Sequence, residues 1–412
     1  FFVSGSGLSE VRLRELAELL SNNPKTYIRV GVGLSRNTQG AMSTRTIACL
    51  SAALGLFDGK AGAGALLSSN SFKLDDRVMS FAELAGKESR MINMVRLGEA
   101  LTGASPPGKC LLVYSSNPLS VAPDSNQVRR GLEREDLFTV VHEQLHTSTT
   151  RYADLVLPAT TSFENDDIYL GYGHFCMSRT EPVIPPVGEA ISNFDLFQTL
   201  ARKMGYFDAA FHQNVEERIS TYLPAVAGLP EAYLQKDVPS GKAILSDLHG
   251  IAGDFTRFEN QKFRFSVPDA KPGVPSHPKV TPCRELENPA LAEKYPLALI
   301  TPPNGDLLNS TFGERFKGET GKVLIHPDDA SAAGISSDDL VEISNDRGSN
   351  IRRASVTHKT QPGLLVAEGI YWQSDCSEQT GINDLTSQEI TDLGEGGTFH
   401  ENRVAVRRLM KT

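Results

Sequence analysis

Three stretches of this sequence carry residue types that could do chemistry. The run His142-Glu143-Gln144-Leu145-His146 has the letters of a zinc peptidase. On a helix, histidines four apart share a face and can bind zinc while the glutamate serves as general base. Asn117-Pro118 closes a short apolar run. An asparagine amide offers both a donor and an acceptor, which suits the edge of a purine base. The segment Gly31-Val32-Gly33-Leu34-Ser35-Arg36 begins like a dinucleotide fingerprint. There Arg36 replaces the third glycine, and no acidic residue ends a second strand about 20 residues on. Gly55 to Gly62 is not followed by Gly-Lys-Ser/Thr, and no Gly-x-Ser-x-Gly elbow occurs.

The elements around these residues decide between the chemistries. Phe138, Thr139, Val140 and Val141 are aromatic or β-branched and predict a strand from Leu137 to His142. Thr147-Ser148-Thr149-Thr150 is a poor helix continuation. His142 and His146 are then not spaced as on a helix, and the chain is expected to bind no stoichiometric zinc. Cys110 to Ser115 reads as the preceding strand, with a helix from Asp124 to about Gly131 between the two. Upstream, Ser9 reads as the N-cap of a helix with Leu13, Leu16, Ala17 and Leu20 on one face. A strand from Tyr27 to Leu34 and a helix from Met42 to Leu54 follow. This alternation predicts a parallel sheet with helices on both faces, whose ligand sites lie at the strand C-terminal ends.

After Glu164 the character changes to an α+β connector. Ser192 and Asp195 form a capping-box pattern, flanked by Ile191 and Leu196 as a staple, for a helix ending at Gly205. Pro268 to Pro282 holds five prolines and reads as a stiff linker. Beyond it, Leu297–Ile300, Val323–His326, Leu340–Ser344, Ile351–Thr357 and Leu364–Val366 read as strands of a compact barrel. Asp328 is the expected N-cap, and Gly334 the C-terminal cap, of a short helix within it. The division is therefore 1–160, 161–285 and 286–412.

Size and charge narrow the classes. With 412 residues, 40% hydrophobic and 22% charged, the chain is globular and large enough for two or three domains. A net charge of -9 argues against a nucleic-acid partner. The five cysteines (Cys49, Cys110, Cys176, Cys283 and Cys376) are dispersed, so they read as free thiols rather than a disulfide or iron–sulfur framework. No apolar run approaches the ~18 residues of a membrane helix. The chain starts Phe1-Phe2-Val3, not with Met, and reads as a fragment or a processed or engineered product. Compartment is unknown, the cytoplasm being favoured over the periplasm.

The order of these segments resembles the C-terminal half of the molybdopterin-dependent oxidoreductases of the dimethyl sulfoxide reductase superfamily. The marks are Gly31 to Gly40, Asn117-Pro118, the polar strand end His142 to Thr150, Ala153-Asp154-Leu155-Val156-Leu157-Pro158, and Glu164. Leu299-Ile300-Thr301, Ile325 to Gly334, Val341-Glu342-Ile343 with Arg347-Gly348, Gln361-Pro362-Gly363 and Asn383-Asp384-Leu385-Thr386 are similar to the family's molybdopterin-dinucleotide-binding barrel. The resemblance implies an α/β fold: a parallel-sheet nucleotide-type domain, an α+β connector and a C-terminal six-stranded double-psi-like β-barrel. It implies a molybdenum or tungsten bis-molybdopterin guanine dinucleotide cofactor, a small-molecule redox substrate and an electron-transfer partner.

Cofactor contacts are implied for Gly33, Ser35, Arg36, Asn117, Pro118, His142 and Thr147, and from the barrel for Thr301, Asn309 and Asn383. Ser35 and Arg36 would meet phosphate at a strand-to-helix turn, Asn117 guanine or ribose, and Asn383 the pterin. His142 and Glu143 stand where many relatives have an acidic residue. The family's four-cysteine iron–sulfur motif and its metal-ligating residue have no counterpart here and would lie before Phe1. The chain alone is therefore expected to be redox-inert, with no catalytic or metal-ligating residue of its own. The alternatives are a zinc metallopeptidase or a non-catalytic nucleotide-binding module.

Overall fold

A computed structural model describes residues 6–57, 64–66, 72, 80–81, 84, 86, 89–170, 174–233, 240–247, 262–267, 274–280, 282–316, 318–372 and 380–410. Most of the expected glycine-rich loop (58–63), much of the proline-rich linker (268–273 and 281), His249 and Cys376 lie outside the described residues.

Ser9 caps helix α1 (Glu10–Ser21) by accepting the Arg12 N–H at 3.3 Å. No residue of α1 is buried; Leu16 and Leu19 on it are exposed. Strand β1 is shorter than expected. It covers Tyr27–Arg29, and Val32–Arg36 winds into a 3-10 turn. Glycines at 31 and 33 weaken the strand, and local bonds favour the turn: Asn37 donates to the Gly33 and Leu34 carbonyls, and Ser35 Oγ to Val32 O at 2.7 Å. Helix α2 (Gly40–Ala53) starts on a glycine because a Cβ there would lie 2.7 Å from the Ser35 Cα. β1 pairs in parallel with β2 (Gly64–Leu66), apart from the sheet that follows.

That sheet holds β3 (Cys110–Tyr114), β4 (Phe138–Glu143) and β5 (Leu155–Pro158), all parallel, with His142 opposite Tyr114 on one side and Leu157 on the other. Helices α3 (Leu97–Gly103), α4 (Pro118–Val121) and α5 (Ser125–Leu132) belong to the same region. Leu101, Leu119, Val128, Leu132 and Leu137 form its core. Asp124 caps α5, as expected, accepting from the Gln127 N–H.

An antiparallel sheet comes next: β6 (Asp167–Leu170), β7 (Cys176–Thr180) and β8 (Ala243–Leu245). With α6 (Asn193–Lys203) and α7 (Val215–Tyr222) it makes the connector, whose core includes Met177, Ile219, Leu223 and Ile244. Ser192 caps α6, though Asp195 returns its bond to the Ser192 hydroxyl rather than to the backbone. Arg179, buried, pairs with Asp166 and Glu216 and ties the sheet to α7.

After α8 (Pro289–Lys294) come β9 (Leu297–Ile300), β10 (Lys322–Ile325), α9 (Pro327–Ala332), β11 (Leu340–Ser344), β12 (Ser349–Val356), β13 (Leu364–Val366) and β14 (Asn402–Arg408). They close a six-stranded barrel in the order β10-β12-β11-β14-β9-β13, with both parallel and antiparallel pairs. Leu299, Val323, Ile325, Val341, Ile343, Leu365 and Val404 fill it. The N-cap of α9 is His326, not Asp328: Pro327 takes the first helical position, and His326 Nδ1 accepts the Asp328 N–H at 3.3 Å.

Candidate functional site

The C-terminal ends of β3, β4 and β5 open onto a cavity of about 490 Å³. Its floor comes from Ser115, Ser116, Asn117, His142, Glu143 and Thr147; its opposite wall from Ser310, Thr311, Phe312 and Trp372 of the barrel region. A site at strand ends, closed by a second body, is the usual place for a ligand in an open α/β sheet.

Each floor residue is held by its element. β3 ends when Ser115 turns into the left-handed region, at φ 47°. Asn117 then precedes Pro118, the first residue of α4. Asn117 is buried; its Oδ1 accepts from Thr149 N–H at 3.2 Å and Thr149 Oγ1 at 2.7 Å, and its Nδ2 donates to Ser120 Oγ at 3.0 Å. One amide hydrogen is left for a ligand.

His142 is fully buried at the end of β4. Its Nδ1 lies 2.9 Å from Asn193 Oδ1 and its Nε2 3.1 Å from the Ile191 carbonyl. Asn193 in turn donates to Ser115 Oγ at 2.8 Å. The strand removes the helical spacing that a zinc peptidase needs, and His146 is exposed beyond it. Glu143 beside it is pushed above the usual glutamate range by burial, with the Gln144 N–H and His142 opposing.

Two hydroxyls at the turn after β4, Thr147 Oγ1 and Ser148 Oγ, are buried with no hydrogen-bond partner among the described residues. Thr147 lines the cavity. Buried polar atoms are nearly always paired, so an orphaned hydroxyl on a cavity wall points to a ligand. Glu164 does not reach a ligand position. It accepts from Thr161 N–H, Thr161 Oγ1 and Val187 N–H, which hold its carboxyl below the usual range.

The remaining expected residues lie elsewhere. Asn309, in the left-handed region at φ 53°, is exposed and immediately precedes the cavity residues Ser310 and Thr311. Asn383 is buried and bridges the two halves: its Nδ2 donates to Ser120 O at 2.8 Å, and its Oδ1 accepts from Thr386 Oγ1 at 3.1 Å. Arg36 and Thr301 meet at the turn before β14. The guanidinium stands 5.6 Å from the Phe399 ring centre, the Arg36 carbonyl accepts from His400 N–H, and Thr301 Oγ1 donates to Phe399 O. Gly33 is exposed. The phosphate donors expected at the start of α2 are occupied, because Asp392 accepts the N–H groups of Ala41 and Met42 at 2.9 and 3.0 Å.

Sequence reasoning missed Asn193, Tyr169, Phe312 and Trp372 as cavity residues. Asn193 hid inside a capping pattern that is complete without it.

Residues 12–203 match the molybdopterin oxidoreductase family model, and residues 297–403 match the Molydopterin dinucleotide binding domain. The probable oxidoreductase YoaE of Bacillus subtilis is 32% identical over 98% of this chain and 60% of its own length. Trimethylamine-N-oxide reductase of Haemophilus influenzae is 26% identical over 65% of this chain and 36% of its own. Acetylene hydratase from Pelobacter acetylenicus shares the fold, with a TM-score of 0.58 at 19% identity over 77% of this chain and 47% of that one. The chain belongs to the dimethyl sulfoxide reductase family of molybdopterin oxidoreductases. It spans about 60% of the length of the Bacillus relatives it matches.

Proposed function

We propose that this chain is the cofactor-cradling portion of a molybdenum or tungsten oxidoreductase that holds bis-molybdopterin guanine dinucleotide. The observation that carries the reading is the cavity between the ends of β3–β5 and the barrel region, with the orphaned Thr147 hydroxyl on its wall. The donor set fits the group. Ser115, Thr147 and the spare Asn117 amide hydrogen are neutral donors suited to phosphate and purine, and Phe312 and Trp372 offer apolar faces to a heterocycle. When bound, the cofactor supplies the redox centre; the chain's residues bind and orient it and exclude water around it.

Within this reading Asn117, Pro118, His142 and Thr147 shape the cavity floor, Asn309 sets the conformation of the opposite wall, and Asn383 holds barrel to sheet. Arg36 and Thr301 form a second contact region near Phe399, and Gly33 and Ser35 lie in the turn that carries Arg36. The division at 160 and 285 belongs to this proposal; it is supported by the separate barrel core, while Phe72 packs in the connector core with Met177 and Ile219. The substrate is a small redox molecule, electrons come from a separate partner, and any iron–sulfur cluster is held outside this chain. Because the chain spans about 60% of its Bacillus relatives, it is expected to be redox-inert by itself. The test is released-pterin fluorescence with molybdenum and tungsten analysis on the protein expressed from its complete gene. Pterin and metal bound in fixed ratio are expected; a pterin-free, fully folded protein would overturn the reading.

A further inference from the structure

The cavity at the strand ends is lined by two carboxylates and, among the described residues, by no lysine or arginine. Glu143 stands on its floor and Glu314 on the opposite wall. Glu143 spends one oxygen locally, accepting the Gln144 N–H at 2.8 Å. Glu314 belongs to the 3-10 turn Gly313–Phe316, and its Oε2 is buried with no hydrogen-bond partner among the described residues. The turn is held from below: Gly313 packs directly against the Trp372 indole, whose Nε1 donates to Ser310 O at 2.6 Å. Across the cavity Thr147, 5% exposed, carries its own unpartnered hydroxyl. Both walls therefore have unmet bonding capacity facing one space.

An ionised carboxylate is acceptor-only, and a buried oxygen left unsatisfied is costly. On a wall shared with the aromatic faces of Phe312 and Trp372, that oxygen is complementary to a planar ring presenting N–H groups. We propose that Glu314 recognises the ligand of this cavity by accepting a ring N–H and the adjacent amino group of a 2-amino-oxopyrimidine edge, the edge that guanine and pterin share. Two parallel N–H donors match the two oxygens of one carboxylate, as in its pairing with a guanidinium. Hypoxanthine and lumazine lack the amino group, and adenine has no ring N–H on that edge. The inference rests on the reading of this cavity as the cofactor site. It assigns recognition of the ring to the barrel side of the cavity rather than to Glu143 at the strand end.

Calorimetric titration of the 412-residue chain with two matched pairs tests it: guanosine against inosine diphosphate, and pterin against lumazine. The member carrying the amino group should bind at least about tenfold more tightly, the size of one hydrogen bond to a charged group. Preference within the nucleotide pair places the guanine base in the cavity; preference within the pteridine pair alone places the pterin there. In Glu314→Gln the favoured pair should come within about twofold of each other. The same variant should have a thermal midpoint no lower than wild type, because it removes an unsatisfied buried charge.

A lower midpoint would make Glu314 a structural residue and overturn the proposal. So would the absence of preference in both pairs, or a preference that survives Glu314→Gln and disappears in Glu143→Gln. The functional reading is tested apart from this. Protein from the complete gene that carries pterin and metal keeps that reading standing if Glu314 fails. A pterin-free protein would sink that reading while a Glu314-dependent preference stood.

Discussion

His142 Nδ1 lies 2.9 Å from Oδ1 of Asn193, so the buried end of a strand is bonded to the first residue of helix α6. The ring's other nitrogen reaches the Ile191 carbonyl, just outside the same helix. Replacing His142 by leucine keeps the volume but strips both partners. Leaving buried polar groups unsatisfied costs about 1–3 kcal/mol each. His142→Leu is expected to lower stability by about 2–4 kcal/mol in urea unfolding. Zinc analysis should find no stoichiometric metal in either protein. About one zinc per chain, lost in His142→Leu and in His146→Ala, would restore the peptidase reading.

Asn383 ties the barrel to the sheet region through Ser120 O. Asn383→Asp removes the donor and sets a buried negative charge against that carbonyl. The loss should be about 2–4 kcal/mol, read as a lower thermal midpoint. Asn383→Ala, which only deletes the bonds, should be milder. Equal midpoints for Asp and wild type would show that the contact carries no weight.

Gly313 lies beneath Trp372. A Cβ there would sit 2.0 Å from the indole Nε1, the atom that donates to Ser310 O at 2.6 Å. Gly313→Ala must therefore displace the indole, at a cost of about 1–3 kcal/mol for overpacking. The expected signature is a red-shifted emission with faster acrylamide quenching. An unchanged spectrum would mean the wall is looser than its geometry.

Glu164 gives a pH dependence with a definite sign. Bonds from Thr161 and Val187 lower its folded pKa, so its stabilisation is complete above the ordinary glutamate value of about 4.3. It is lost as pH falls through the folded value. Glu164→Gln should be less stable than wild type at pH 7, and the gap should close as pH falls below the ordinary glutamate value. A gap that stayed constant with pH would remove the ionised carboxylate from the account.

Much of this was legible because it is local. Leu297–Ile300, Leu340–Ser344 and Leu364–Val366 fall where alternation and turn residues put them. The strand nature of Phe138–Glu143 follows from β-branching. The cavity's far wall was not legible, because Phe312 and Trp372 meet Ser115 and His142 only through the tertiary fold. The same limit hid Asp392, which reaches back 350 residues to Met42. The sixth barrel strand, Asn402–Arg408, did carry a signal in the alternation of Val404 and Val406 between polar neighbours. Tyr27–Leu34 misled because its apolar residues suggest a strand while its glycines and Asn37 close a turn.

The strand order of the barrel has a consequence for how the chain is made. β14, the last of the described strands, lies between β11 and β9. Until residues 402–408 have left the ribosome, the barrel has two open edges and an uncovered core, and contacts of such long sequence separation form slowly. A nascent chain stalled anywhere before residue 402 is then a sticky, unclosed sheet, so this region is where chaperone dependence and misassembly should concentrate.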